Sequence, residues 1–414
     1  MNLKIVFFLF FFTICNAQIY YNVKDFGAVS DDGKDDWLAF QNCIRVAIKS
    51  GNNPVIYVPN GVYNISTKLT FDYLVGSVNF VGEDVEGKKP ILKFLNSNNE
   101  SLVEARGYLF SPSKGVFNMK NIHIIGNNKP FSLDHPFANK NEWSAAVLVL
   151  DKKEVHLDNL IIQNHYGQGI HISTTQQKGI NENSRFESVT ITNTNIKDVW
   201  GHNPQLDNYG DAIYLSDVAS AIIQQNIIFN NTSTTKQLGR AGIVIEYMSE
   251  NIKILDNKLL GGYDRPLHIE ATYGGHLIEN NQFKGSDLGI VLAENLSEKF
   301  KPILFKNNLV TNEGLLKQMN LKKSYGSGNF GDRALVFIVT EGDSKKKDIK
   351  FIKNTFYLED KYEYESNSLI NNRSLNVSFE YNSFSSGKRK DLSIYNYGKG
   401  IFRHNSFSEN VRVK

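Results

Sequence analysis

Asn226-Ile227-Ile228, Asn257-Lys258-Leu259, Asn281-Gln282-Phe283, Asn308-Leu309-Val310, Asn354-Thr355-Phe356, Asn382-Ser383-Phe384 and Asn405-Ser406-Phe407 repeat one short phrase through the second half of a 414-residue chain. Each copy closes an alternating apolar strand with Asn, one variable residue and a large apolar residue. Most lie about 23 to 31 residues apart, with one longer gap that holds an insertion. That is the spacing of stacked solenoid turns. A second strand follows most copies: Ala241 to Ile245, Pro266 to Ile269, Leu288 to Leu292 and Ala334 to Ile338. Alternation at period two puts Val, Ile and Phe on one face, so each turn buries its apolar side against its neighbours and the object grows as a rod. The asparagine suits such a turn, because it tolerates left-handed backbone geometry and its amide can bond the asparagine one rung away.

Looser copies precede these, at Phe117 to Ile122, Val155 to Leu160 and Val189 to Ile191, with second strands at Gly169 to Ile172 and Ala212 to Leu215. The count comes to about ten or eleven turns. A leucine-rich or propeller reading fits worse, since neither the Leu-x-Leu-x-x-Asn spacing nor a tryptophan-aspartate repeat is sustained. Two long excursions, Gly126 to Trp143 and Thr174 to Arg185, interrupt the pattern. Long loops on a repeat scaffold are where recognition tends to sit.

Met1-Asn2-Leu3-Lys4 and the apolar run Ile5 to Ile14 read as a signal peptide over residues 1–17, too short for a membrane span. Asn16-Ala17-Gln18 places a small residue at the cleavage point, so the mature chain, 18–414, is expected to begin at Gln18 and to form one domain. Ile14 stands where a lipobox requires a small residue before Cys15. The protein is therefore expected outside the cytoplasm, secreted or periplasmic, with no membrane span. Only Cys43 then remains, so an extensive core rather than disulfides must hold the fold, and Cys43 itself reads as a packed small hydrophobe. Lys plus Arg (46) and Asp plus Glu (43) leave a net charge of +3, which argues against nucleic acid as a partner.

Val23-Lys24-Asp25-Phe26-Gly27-Ala28-Val29, the acidic Ser30 to Asp36 turn, Ala39-Phe40-Gln41 and Ile56-Tyr57-Val58-Pro59-Asn60-Gly61-Val62-Tyr63 resemble the opening of pectin-lyase-like β-helix proteins. The resemblance covers the first sixty or so residues by motif and the remainder by repeat. It implies an all-β fold, a single-stranded right-handed parallel β-helix with a short N-terminal capping helix, here Trp37 to Lys49 with Asp35 or Asp36 as its cap. It also implies action on a polysaccharide. The Asn-Thr-Asp and Gly-His-Gly signatures of polygalacturonases, the Asp-Pro-His of alginate epimerases and the Glu-Thr-Asp of iota-carrageenases are absent.

Stacking the second strands puts Ile213, Ile243, Leu267 and Ile290 in one inner column and Leu215, Ile245, Ile269 and Leu292 in the next. His171, Tyr214, Val244, His268 and Val291 then share an outward column, and Ser173, Ser216, Glu246, Glu270 and Ala293 another. Asp211 and Arg265 lie one column back, with Arg240 and Asp264 beyond. Rungs are about 4.8 Å apart, so Glu246 and Glu270 become neighbours that disfavour ionising together, an acid beside a base. The expected catalytic set is Glu246, Glu270, Asp211 (a reserve carboxylate) and His268. Substrate binding falls to Arg240, Arg265, Tyr214, Trp200, His202, Tyr209 and His171. Trp200 and Tyr209 are expected to stack on sugar rings and the arginines to hold a uronate or sulfate. His165 and Tyr166 border the cluster, while His135, Phe137 and Trp143 are candidates for the end wall of a groove. Asp207, Asp211 and Asp217 could supply oxygens to a structural calcium, yet no contiguous calcium loop is present, so no cofactor or essential metal is expected.

The leading reading is a glycoside hydrolase acting through a carboxylate pair on a complex polysaccharide, whose anionic or neutral character the net charge leaves open. A polysaccharide lyase or uronate C5-epimerase would instead use Tyr214 or His268 on the C5 proton. A non-catalytic carbohydrate-binding β-helix is the alternative from another class.

Overall fold

The computed structural model describes residues 18–51, 53–71, 76–95, 100–107, 115–132, 144–175, 182–201, 210–285, 288–292, 298–312, 334–340, 347–358, 368–387 and 392–414. Among the described residues the chain winds through three parallel sheets of 13, 12 and 12 strands; after the first strand, which pairs with the second, they are taken in rotation, so that every third strand pairs with its predecessor. Glu154–Asp158, Ile161–Gln163 and Gln168–Ser173 make one such turn, and Ser188–Thr192, Asn195–Lys197 and Asp211–Ser216 the next. The fold is all-β, a parallel β-helix of twelve turns. The repeat pattern accounts for fewer because strands of the second sheet run only two to four residues, as in Lys258–Leu259. They are the "x-apolar" half of the phrase, which leaves the first and third sheets as its visible strands.

The asparagines form a buried ladder. Asn257 Oδ1 accepts from the backbone and side-chain nitrogens of Asn226 at 3.0 and 2.9 Å, and the same pair of bonds recurs through Asn281, Asn308, Asn354, Asn382 and Asn405. The left-handed conformation falls on the preceding residue instead, among them Gln225, Asp256, Asn280, Asn307 and Lys353. Burial explains the division: the ladder position faces inward and needs an amide to satisfy its backbone, while the residue before it faces solvent and only has to turn. Above Asn226 the ladder passes to Thr194, whose backbone N–H donates to Asn226 Oδ1 at 2.9 Å. Phenylalanines stack inside in the same rhythm, with Phe305, Phe351, Phe379 and Phe402 at 4.5, 4.8 and 4.6 Å between rings. That matches the rung spacing.

A helix, Trp37–Ser50, lies at the N-terminal end and adds Phe40, Cys43, Ile44 and Ala47 to the core. Cys43 is fully buried. The two candidate caps divide the work: Asp35 Oδ1 accepts from the Trp37 N–H at 3.1 Å, whereas Asp36 accepts from Val29 N–H at 2.8 Å and ties the acidic turn to the helix start. Gly61, at φ 133°, packs so closely on this turn that a Cβ would sit 2.3 Å from Ser30 Cβ. Asp31 Oδ1 meanwhile accepts from Val62 N–H at 3.0 Å. The two N-terminal motifs are thus halves of one interlocked corner. Among the described residues no helix is long and apolar enough to cross a membrane.

The third sheet carries the expected site. Ile213, Ile243 and Leu267 stack inward as anticipated, with Ile170 one rung before them, and Asp211 and Arg265 flank Ala241 in one column. The next rung is a correction. Leu288, not Ile290, pairs with Leu267, and Gly289, not Val291, lies beside His268, so Val291 is the neighbour of Glu270. A two-residue slip preserves which face each side chain takes, so alternation cannot detect it. What decides it is bulk: a Cβ at Gly289 would come within 2.7 Å of His268 Nδ1, so only glycine fits beside that ring.

Candidate active site

Asp211–Ser216, Gly239–Glu246 and Tyr263–Glu270 are consecutive rungs, and their outward side chains form a largely buried polar cluster. Asp211 is held by Arg240 through two bonds, Nε to Oδ1 at 2.8 Å and Nη2 to Oδ2 at 2.7 Å. Gln168 Nε2 adds a third at 3.2 Å. Because a carboxylate only accepts, the Gln168 amide must turn its oxygen toward His171 Nδ1, which is its hydrogen-bond partner. His171 therefore carries its proton on Nδ1, and Nε2 accepts from the Ser173 hydroxyl at 2.7 Å. Burial pushes His171 down to about 4, so the ring is neutral at pH 7. Tyr214 stacks on this ring, centroids 4.6 Å apart, and its hydroxyl donates to Glu246 Oε2 at 2.8 Å.

Glu246 and Glu270 are register partners, as the stacking anticipates. Their surroundings differ. Glu246 is 6% exposed, and desolvation lifts its carboxyl to about 7 against the counter-pull of Arg240, with the Glu270 charge adding to the rise. Glu270 has an exposed side chain and accepts from His268 Nε2 at 2.9 Å, a bond that lowers its carboxyl below the ordinary value. Burial also lowers the His268 imidazole, which donates from Nε2 as the neutral ring and leaves a buried Nδ1 without a partner against Gly289. A carboxyl raised toward neutral pH at the base of the site thus stands beside one held below the ordinary value at its mouth. One oxygen of each lies within 4.8 Å of the other and of the His268 nitrogen.

The remaining expected residues divide. Arg265 is partly exposed on the rim, across Ala241 from Asp211. Asp211 is 1% exposed with both oxygens engaged, which makes it the anchor of Arg240 rather than a reserve catalytic carboxylate. Tyr214 and His171, expected to touch substrate, are buried supports of Glu246. Trp200 is a clear correction: it is 1% exposed and packs edge-on against Tyr166 at 6.2 Å, a core contact with no face left for a sugar. Its backbone carbonyl accepts from Asn128 Nδ2 at 3.2 Å, which ties the described start of the first excursion to it. His165 is also buried. His202, Asp207 and Tyr209, with His135, Phe137 and Trp143, lie outside the described residues.

The sequence reading missed Gln168, Ser173 as a partner of His171, and Tyr247. A left-handed residue closes four of the third-sheet strands: Asp151, Asp217, Tyr247 and Ala271, the last three in successive turns. Asp is at ease there, and a tyrosine is not. Burial raises the Tyr247 phenol, with the Glu246, Glu270 and Asp217 charges next in effect, so it sits within electrostatic reach of the pair. A bulky residue at an Asn/Asp turn position was the available signal.

Of the oxygens proposed for calcium, Asp207 lies outside the described residues, Asp211 is held by Arg240, and Asp217 accepts from Thr174 Oγ1 at 2.7 Å. Among the described residues Glu246, His268 and Glu270 are the group whose ligand atoms come close enough to hold a metal ion.

The family described as rhamnogalacturonase A/epimerase, pectate lyase-like matches residues 20–264, more than half of the chain. The chain belongs to this family. The match stops just short of Arg265, His268 and Glu270. Among solved structures, the chain is similar to the A-module of mannuronan C-5 epimerase AlgE6 from Azotobacter vinelandii, with TM-score 0.55 and 15% identity over 94% of this chain and 99% of that one. The AlgE4 A-module from the same organism gives TM-score 0.52 and 14% identity over 95% and 100%. PfbA, a surface adhesin of Streptococcus pneumoniae, gives TM-score 0.50 and 16% identity over 96% and 91%. At such identities the likeness is one of fold, a right-handed parallel β-helix. No curated protein matches the sequence.

Proposed function

We propose that the protein is an exported enzyme that hydrolyses an anionic polysaccharide, with Glu246 as general acid and Glu270 as nucleophile. The observation that carries this reading is the pairing of two register-matched carboxylates, one buried and raised, the other hydrogen-bonded by His268 and lowered. Glu246 protonates the glycosidic oxygen as its bond to the anomeric carbon breaks. Glu270 takes that carbon, and Glu246, now a base, draws a proton from the water that releases the sugar. The short oxygen separation favours retention of configuration over inversion. Arg265 on the rim suits a uronate or sulfate.

Purified protein should be incubated with a panel of acidic polysaccharides while reducing ends, near-ultraviolet absorbance and the anomeric proton signal are followed. New reducing ends of retained configuration, no absorbance, and loss of at least a hundredfold in rate for Glu246→Gln and Glu270→Gln are expected. Full activity in both variants sinks the assignment.

A lyase or epimerase is the second reading, favoured by the family's own description and by a Glu246–His268–Glu270 group able to hold a divalent cation. The buried Tyr214, whose phenol is raised by desolvation, is a poor base for it. Absorbance at the product's double bond, or epimerised polymer without cleavage, together with loss of activity in chelator, would establish this alternative.

A further inference from the structure

Beyond Glu270 the outward face of the third sheet continues for five more rungs. Glu270 leads to Val291 and then Val339 in its own column, and Arg373 and Tyr397 extend that column past the paired Ile338 and Asn372. The neighbouring column runs from Gly289 to Phe337, Asn371 and Tyr395. Chemistry changes along this path. The floor is apolar at Val291 and Val339, both partly exposed, and then turns aromatic and basic. The Arg373 guanidinium lies 5.7 Å from the centre of the Phe337 ring, and Lys414 Nζ lies 5.5 Å from that of Tyr395. Tyr395 and Tyr397 are parallel, at 0° and 5.8 Å between centroids, and Tyr397 is 66% exposed. From Val291 to Lys414 the described outward strand positions carry no carboxylate.

We propose that this face is a distal subsite for the acidic sugars of the same chain that is cut at Glu246 and Glu270. The proposal rests on the polysaccharide reading of that site and adds where the uncut part of the substrate lies. Rungs spaced about 4.8 Å put Arg373 three rungs, about 14 Å, and Tyr397 four rungs, about 19 Å, from Glu270. A polysaccharide laid along the helix axis crosses both. The exposed Tyr397 ring offers a flat apolar face to the C–H face of a pyranose, and the Arg373 fork one rung before it matches a carboxylate or sulfate. The cation is already poised over an aromatic ring, so little ordering is left for binding. Among the described residues of this floor no side-chain carboxylate repels a polyanion, which is the complementary half of the match.

The test separates binding from cleavage. The full chain, its Arg373→Ala/Tyr397→Ala variant and Glu270→Gln are run in native gels containing polygalacturonate, alginate or neutral dextran. Retardation by at least one polyuronate and not by dextran, weakened about tenfold or more in the double variant and retained in Glu270→Gln, is expected. Both exposed substitutions should leave the melting temperature unchanged. Equal retardation of the double variant and the native chain, or no retardation by either polyuronate, overturns the subsite. If the double variant loses binding while Glu270→Gln keeps hydrolytic activity, the subsite stands and the catalytic assignment falls.

Discussion

Glu246 and Glu270 share a side chain and a column, and their opposite surroundings should be readable as a pH profile. Activity requires Glu270 ionised and Glu246 protonated, so the rate should fall on the acid side below the ordinary carboxylate range and on the alkaline side near 7. Stability should carry the Glu246 limb as well. The folded carboxyl is raised above its unfolded value of 4.5, so its contribution is full below 4.5 and is lost as pH rises through about 7. Thermal melts of Glu246→Gln against pH should lack that decline, and a parallel decline in the variant would show that Glu246 is not its source. Tyr247 belongs to the same scale. It holds a left-handed conformation, φ 50°, where Asp151 and Asp217 stand in other turns. Tyr247→Asn should hold or raise the melting temperature, by relief of roughly 1 kcal/mol of strain, while kcat/KM falls at least tenfold. A variant equally active would reduce Tyr247 to a turn residue. Residue identities at the carboxylate pair were legible because period-two alternation exposes them. Their unequal titration was not, because burial depends on what folds over each rung.

Among elements, the strand pairs of the third sheet show how far a pattern reaches. Alternation placed Asp211, Glu246 and Glu270 on one face and in the right columns, and then set Leu288–Leu292 two residues out of register. The contact that corrects it is also a sensitive point. Gly289→Ala would thrust a methyl against His268 Nδ1, turning the ring away from Glu270 and cutting activity at least tenfold, with a loss of stability of about 1–3 kcal/mol from overpacking. Unchanged kinetics would mean that His268 does not hold Glu270. The asparagine ladder makes a separate demand on stability. Asn281 Oδ1 accepts twice from Asn257, and its amide donates to Ile254 O at 2.8 Å and to Asn308 at 3.0 Å. Asn281→Ala strands several buried partners and should cost about 3 kcal/mol or more in denaturant unfolding. A loss below 1 kcal/mol would mean that water replaces the amide.

At the scale of the molecule, each rung buries its apolar face only against two neighbours, so the helix is stable by repetition, and helix Trp37–Ser50 covers its first turn. Export remains a proposal, and mass spectrometry of the protein recovered from medium or periplasm should find Gln18 as the first residue; an intact Met1 in the cytoplasm would refute it. The β-helix class, the capping helix and the carboxylate pair follow from the sequence itself, because repeat period, alternation and motif are properties of chain neighbours. Three sheets instead of two visible strands, twelve turns, the burial of Trp200 and the anchoring of Asp211 by Arg240 were decided only in the tertiary structure. The reason is distance: Asn128 bonds the Trp200 carbonyl from 72 residues away, and Gln168 reaches Asp211 from 43. No local pattern carries such contacts, and they determine which polar side chains meet solvent and which hold others in place.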